Sequence, residues 1–326
     1  MRIPIEKKGP CMERSIVQVR NLVKRYGELA AVDHLNFDIR PGEIFGLLGP
    51  NGSGKTTTIN CILQLLRYDH GEIDLFGTRM NATDYESKRR IGIVPQDVAV
   101  FDELTVRENI DAFCALYVSD RAQRRRMVDD AIAFVGLEKF EKFRPKKLSG
   151  GLLRRLNIAC GIAHKPELIF LDEPTVAVDP QSRNSILEGI LRLNAEGATI
   201  VYPSHYMEEV EQICSRIMIM DHGTKVAEGT SDELKSMIGM GERIRIEAAT
   251  LEDAALERLR GLACVRSVAF DGGIATVECS SGAHNLVDVL AVLADADAPY
   301  GRVTSEPPTL NDVFLEITGR ALRDEA

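Results

Sequence analysis

The octapeptide G-P-N-G-S-G-K-T at residues 49–56 constrains this chain more than any other stretch. It follows a short apolar run, I-F-G-L-L at Ile44–Leu48, and passes into T-T-T-I-N-C-I-L-Q-L-L, which has helical spacing. A strand, a glycine-rich loop and a helix in that order make a phosphate-binding loop. Gly49, Pro50, Asn51, Gly52, Ser53 and Gly54 form the turn. Its glycines let backbone N–H groups point inward at β- and γ-phosphate oxygens, and the helix N-terminus adds its positive dipole end. Lys55 supplies a full charge to the phosphates, the Thr56 hydroxyl can ligate Mg2+, and Thr57 completes the stretch assigned to the nucleotide.

The remaining apolar runs supply a sheet for this loop. Leu168–Leu171 and residues 199–202 are short and apolar and are separated by helix-length segments, the pattern of a parallel sheet covered on both faces. Residues 15–20 and 33–39 alternate apolar and polar side chains, which predicts an antiparallel edge sheet. Residues 104–135 combine helical spacing with heavy charge and predict a helical insert ending at Gly136. After a hairpin-like segment at 216–228, residues 239–241 mark a linker.

Beyond the linker the pattern changes. Strands at 243–247, 264–270, 274–279 and 300–305 and helices at 251–259 and 283–293 give a ferredoxin-like α+β order, with the turn Asp271-Gly272-Gly273 between the middle strands. Thr309 caps a last helix, with Asp312 three residues on. The expected division is a tail at 1–14, an α/β nucleotide-binding domain at 15–240 and an accessory domain at 241–326.

Length and charge narrow the function. A chain of 326 residues holds one large domain and a smaller one. Forty-nine acidic against forty basic side chains give a net charge of −9, which disfavours nucleic acid or anionic lipid as the main partner. No stretch approaches the roughly 18 to 20 uncharged apolar residues of a membrane-spanning helix, and the first residues lack an apolar signal core. The chain is therefore expected to stay in the cytosol. Seven scattered cysteines without a C-x-x-C pair read as reduced structural thiols.

Two further strings carry chemistry. L-I-F-L-D-E at 168–173 is a buried strand ending in two carboxylates. Alone it is a common way to end a strand at solvent; beside a phosphate loop, Asp172 becomes the Mg2+-side residue and Glu173 the general base for the water that attacks the γ-phosphate. L-S-G-G at 148–151 precedes a helix-like run. Alone it reads as a helix N-cap with two small residues, yet Ser149, Gly150 and Gly151 can also present a hydroxyl and backbone N–H groups to an anion.

The three motifs in this order resemble the ATP-binding-cassette (ABC) family, with L-S-G-G as its signature motif. The resemblance implies a P-loop NTPase cassette, mainly a parallel sheet with an antiparallel edge sheet and a helical insert. It also implies roles for other positions. Tyr26 in V-K-R-Y-G stands at the adenine-stacking aromatic, and Gln96 in V-P-Q-D at the glutamine that touches Mg2+ or the attacking water and borders the transporter-facing surface. Asp179 in V-D-P stands in the loop that crosses to the partner subunit, and His205 in P-S-H at the histidine that contacts the γ-phosphate. Departures are Leu152 in place of the usual glutamine, Ala177 where glycine is frequent, and Pro203 two residues before His205, which puts the contact of that histidine in doubt.

The stretch 306–323 resembles the tail of exporter ATPases of the ABC-2, drug- and lipid-efflux type. The expectation is an ATP- and Mg2+-dependent ATPase on the cytoplasmic side of the plasma membrane that energises export of a drug, lipid or polysaccharide through separate transmembrane permease subunits. It would act as a head-to-tail homodimer, without nucleic acid. The rivals are a soluble cassette ATPase acting on ribosomes or DNA ends, and a non-hydrolysing ATP sensor. One phosphate loop and no sustained heptads weigh against the first, and the presence of both Asp172 and Glu173 against the second.

Overall fold

The computed structural model describes residues 15–319; the expected tail at 1–14, with Cys11, and residues 320–326, which include the end of the exporter-like tail at 320–323, lie outside the described residues. The described residues divide into two compact units, one reaching Thr230 and the other beginning at Ser231. The division falls ahead of the expected linker at 239–241, because Met240 already begins a strand of the second unit.

The first unit opens with a hairpin of β1 (Val17–Tyr26) and β2 (Leu29–Ile39). β3 (Ile44–Leu48), buried at every residue, feeds α1 (Lys55–Ile62). β4 (His70–Leu75) and β5 (Thr78–Arg79) join the hairpin in the antiparallel order β2-β1-β4-β5. These two strands carry no clear period in the sequence, since H-G-E-I-D-L buries only Ile73 and Leu75.

α2 (Tyr85–Lys88) precedes β6 (Ile91–Val94). The helical insert is α3 (Val106–Ala115), opened by a Thr105–Glu108 capping box, and α4 (Arg121–Val135), which stops at Gly136 with φ 68°. Then come α5 (Gly150–Ile162), β7 (Leu168–Leu171), α6 (Pro180–Ala195), β8 (Thr199–Ser204), α7 (Met207–Ile213), β9 (Arg216–Asp221) and β10 (Thr224–Gly229).

The central sheet runs β10-β9-β3-β8-β7-β6, and all neighbours from β9 to β6 are parallel. Apolar faces of the two sheets share one core, in which Phe37 of β2 stacks on Phe45 of β3 at 5.7 Å.

Pro203 lies within β8, a central strand, where a missing N–H ordinarily breaks the ladder. Thr199 N–H donates to Glu167 O on the β7 side and Ile200 N–H to Glu43 O on the β3 side, so by alternation residue 203 faces β7. The β7–β8 ladder ends at Phe170↔Val201, one step before that donor would be needed. The proline is accommodated because no ladder bond there calls on its missing N–H.

In the second unit α8 (Ser231–Ser236) precedes β11 (Met240–Glu247), α9 (Asp253–Arg260), β12 (Val265–Asp271), β13 (Ile274–Ser280), α10 (Asn285–Asp295), β14 (Val303–Glu306) and α11 (Leu310–Thr318). The order β12-β13-β11-β14, antiparallel throughout, is the ferredoxin-like arrangement. Ile244, Ile246 and Val277 of the sheet pack with Leu256, Leu259, Val289 and Leu293 of the helices. Thr309 and Asp312 form the expected capping box.

Candidate active site

Parallel strands put all their C-terminal ends on one edge, and four neighbouring strands deliver the site there. Residues 49–54 follow β3, His205 follows β8, Asp172 and Glu173 follow β7, and Gln96 lies just beyond β6.

The phosphate loop is shaped by close backbone approach. A Cβ on Gly49 would stand 2.3 Å from Met220 O, and one on Gly54, at φ 102°, 2.4 Å from Ala31 O. Lys55, only 6% exposed, donates from Nζ to Gly49 O at 2.6 Å and Pro50 O at 3.0 Å, so its ammonium lies inside the curl of the loop. The buried Ser53 hydroxyl has no hydrogen-bond partner. The first turn of α1 carries no acid to offset its positive end. An orphan hydroxyl, a folded-back lysine and an unneutralised helix start fit an anion with several oxygens. Thr56 is exposed and Thr57 half-buried in that turn.

Glu173 is buried, at φ 42°, and its Oε1 lies 2.6 Å from His205 Nδ1. With the carboxylate ionised, Nδ1–H is the donor and Nε2 faces away from this bond. The Glu173 N–H donates to Pro203 O at 3.3 Å.

Burial, and then the neighbouring Glu173 charge, push the Asp172 carboxyl above its usual range, while Lys55 and Arg154 act against the shift. A carboxyl raised on folding weakens the fold as pH climbs through the window between its free and its folded value, because the ionised form is disfavoured in the native state. Asp172→Asn is therefore expected to raise the melting temperature of the nucleotide-free protein near neutral pH by about 2–4 °C. The same variant should shrink the further rise produced by ATP with Mg2+, and thermal unfolding with and without that pair checks both. Thr56 and Asp172 are hard oxygen donors that suit Mg2+. Among the described residues no group of three or more His, Cys, Asp or Glu side chains could hold a metal, and Mg2+ ordinarily keeps water or phosphate oxygens beside one or two protein ligands.

Arg154 of α5 was not singled out by its sequence, which reads L-L-R-R-L and gives no reason to prefer it over Arg155. It is 3% exposed, and burial lowers its pKa, against the raising effect of Asp172 and other nearby acids. Its guanidinium donates to five carbonyls: Pro174 O at 2.8 Å, Pro95 O at 3.0 Å, Gln96 O at 2.7 Å, Asp172 O at 3.0 Å and Glu173 O at 2.7 Å. One side chain thus joins the backbone around Gln96 to that around the two carboxylates. The Gln96 side chain itself is exposed.

Ser149 caps α5, accepting from Leu152 N–H at 3.3 Å, and the Leu152 side chain takes no part in that bond. A Cβ on Gly151 would meet Ser182 Oγ at 2.4 Å and Asp179 Oδ2 at 3.4 Å, and the atom nearest to one on Gly150 is Ala177 O at 3.9 Å. Asp179 caps α6, and the Ser182 bonds hold its carboxyl below the usual range. Ala177 sits at φ 58°, where glycine is favoured. The signature residues thus pack against the Asp179 turn of their own chain, and none of these contacts reaches the phosphate loop. Tyr26, 51% exposed with Lys24 Nζ 5.1 Å from its ring, ends β1. It pairs with Leu29 in the hairpin whose Ala31 carbonyl covers Gly54.

Comparison with known proteins adds two family matches. The family described as "ABC transporter" matches residues 32–176, and "ATP-binding protein DrrA1-3-like, C-terminal domain" matches 229–318. The linearmycin resistance ATP-binding protein LnrL of Bacillus subtilis is 39% identical over 312 residues, 95% of this chain and 100% of the relative. Nod factor export ATP-binding protein I of Ralstonia nicotianae is 35% identical over 311 residues, 95% of each chain. Among solved structures, a dimeric ATP-binding cassette in a post-hydrolysis state with ADP and Pi superposes with a TM-score of 0.60 at 28% identity, over 66% of this chain and 98% of that one.

Proposed function

Because this chain belongs to the ABC transporter family as an ATP-binding subunit, we propose that it serves efflux of a drug- or lipid-class molecule from the cytoplasmic side of the plasma membrane. As a member of that family it is an ATPase that energises export through a separate permease. No helix among the described residues is long and apolar enough to cross a membrane, which accords with a translocation path made by the partner. The observation that carries the efflux reading is the end-to-end match with a resistance ATP-binding protein, accessory unit included.

The site supports the following division of labour. Lys55 exchanges the Gly49 and Pro50 carbonyls for phosphate oxygens, which the backbone of residues 49–54 surrounds. Thr56, Asp172 and Gln96 would hold Mg2+, which would supply positive charge to the phosphate oxygens. Glu173 takes the proton of the attacking water, and His205 orients that carboxylate through Nδ1. Tyr26 stacks on the base. A second copy of the chain, arranged head to tail, brings Ser149, Gly150 and Gly151 over the γ-phosphate, with Asp179 at the crossing. The packing of Gly151 on the Asp179 turn supports this, since both would move as one surface.

Affinity capture of the tagged chain from detergent-solubilised membranes tests the partner. Recovery of a multi-helix permease is expected, and recovery of ribosomes without a membrane protein would overturn the efflux reading.

A further inference from the structure

A second buried carboxylate joins the segments that carry the first. Glu209 of α7 is 2% exposed. Its Oε2 accepts from Thr175 Oγ1 at 2.7 Å and from the Tyr202 phenol at 2.7 Å. Its Oε1 lies 2.9 Å from Arg183 Nε, an ion pair not aligned as a hydrogen bond. Burying a carboxylate costs several kcal/mol unless charge and donors compensate it. Here one cation and two hydroxyls do so, and each comes from a different segment of the site.

Thr175 follows Glu173 by two residues, and Tyr202 precedes His205 by three. Arg183 lies in the first turns of α6, and its N–H donates to Asp179 O at 2.9 Å. The Arg183 guanidinium stands 5.1 Å from the ring of Tyr206, which in turn lies 4.0 Å from the His205 ring. The need for such a tie follows from Pro203. Beyond Val201 the β7–β8 ladder has ended, and the contact of the Glu173 N–H with Pro203 O is long at 3.3 Å. That single backbone bond is what remains between the strand ends that present Glu173 and His205. The two hydroxyl bonds to one carboxylate add to it. Burial and the Glu209 carboxylate push the Tyr202 phenol well above its usual range, so its hydroxyl remains a donor.

We propose that Glu209 is a positioning residue for ATP hydrolysis, clamping Thr175, Tyr202 and Arg183 so that Glu173, His205 and the Asp179 turn keep one mutual register. This rests on reading Glu173 and His205 as the hydrolytic pair. Glu209→Gln keeps the volume and an acceptor oxygen but loses the charge that holds Arg183. Tyr202→Phe and Thr175→Val each delete one hydroxyl.

The test measures steady-state ATPase kcat and KM, ATP affinity by a fluorescent analogue and melting temperature for these full-length variants, with Glu173→Gln alongside. Glu209→Gln is expected to lower kcat about tenfold, with KM and affinity within about twofold. Tyr202→Phe and Thr175→Val should each lower kcat about threefold, and adding Tyr202→Phe to Glu209→Gln should cost less than the product of the two. If Glu209→Gln fails to fold, the two hydroxyl deletions decide alone. A kcat within twofold of the parent in all folded variants, with Glu173→Gln inactive, would overturn the role of Glu209. An active Glu173→Gln would instead remove the hydrolytic pair, and the inference with it.

Discussion

Replacing Glu173 with glutamine is expected to leave ATP binding intact and to lower turnover by about 10²- to 10⁴-fold, the range of a lost general base. The amide matches the carboxylate in shape, so the phosphate loop, Lys55 and Thr56 are untouched and affinity should stay within a few-fold. Turnover falls because glutamine cannot take the proton of the attacking water. The contact with His205 Nδ1 at 2.6 Å also changes character, since a neutral amide oxygen accepts more weakly than a carboxylate. Nucleotide binding measured by equilibrium fluorescence beside steady-state phosphate release separates the two effects. Retention of most of the activity would remove Glu173 from this role.

The second large effect is expected in stability. Arg154→Leu deletes a buried guanidinium that donates to the carbonyls of Pro95, Gln96, Asp172, Glu173 and Pro174. Charge-assisted bonds contribute more than neutral ones, and buried carbonyls left without a donor carry a desolvation cost. Against this, leucine no longer buries a charge, a cost visible in the lowered pKa of Arg154. Donors to five carbonyls outweigh one desolvated cation, so we expect a loss of about 3–5 kcal/mol, at the upper end for a single substitution. Arg154→Lys keeps the charge but not the planar fork and should fall between. Denaturant unfolding of the nucleotide-free protein checks the order. An Arg154→Leu variant as stable as its parent would mean that these carbonyls find other donors.

What the sequence made legible was local. The phosphate loop, Asp172, Glu173 and His205 each follow a short apolar run, so strand ends and site residues are read together. The ferredoxin-like order of the second unit came from the succession of short strands and helices, with the turn Asp271-Gly272-Gly273 between strands at 264–270 and 274–279. What stayed hidden depends on contacts between distant segments. Arg154 and Arg155 are neighbours in one string, and only the fold turns the first toward the carbonyls around Gln96 and Glu173. Glu209 in M-E-E-V-E looks like an acid on a solvated helix until Thr175 and Tyr202 are placed against it. Pro203 put the His205 contact in doubt because a missing donor is visible in sequence, whereas the end of the β7–β8 ladder at Val201 is not. The unit boundary fell earlier than the glycines at 239 and 241 suggested, since Gly241 lies inside β11.

In the proposed dimer one chain supplies the carboxylate and a second copy supplies the signature residues to each ATP. Glu173→Gln and Ser149→Arg each disable one half, and each should be inactive alone. Mixed in equal amounts and allowed to exchange, half of the dimers would be mixed, and each would contain one site with Glu173 intact in one chain and Ser149 intact in the other. The mixture is expected to regain up to about a quarter of the parent ATPase activity, the share of complete sites under random head-to-tail pairing. A mixture no more active than the sum of its two components would contradict that arrangement.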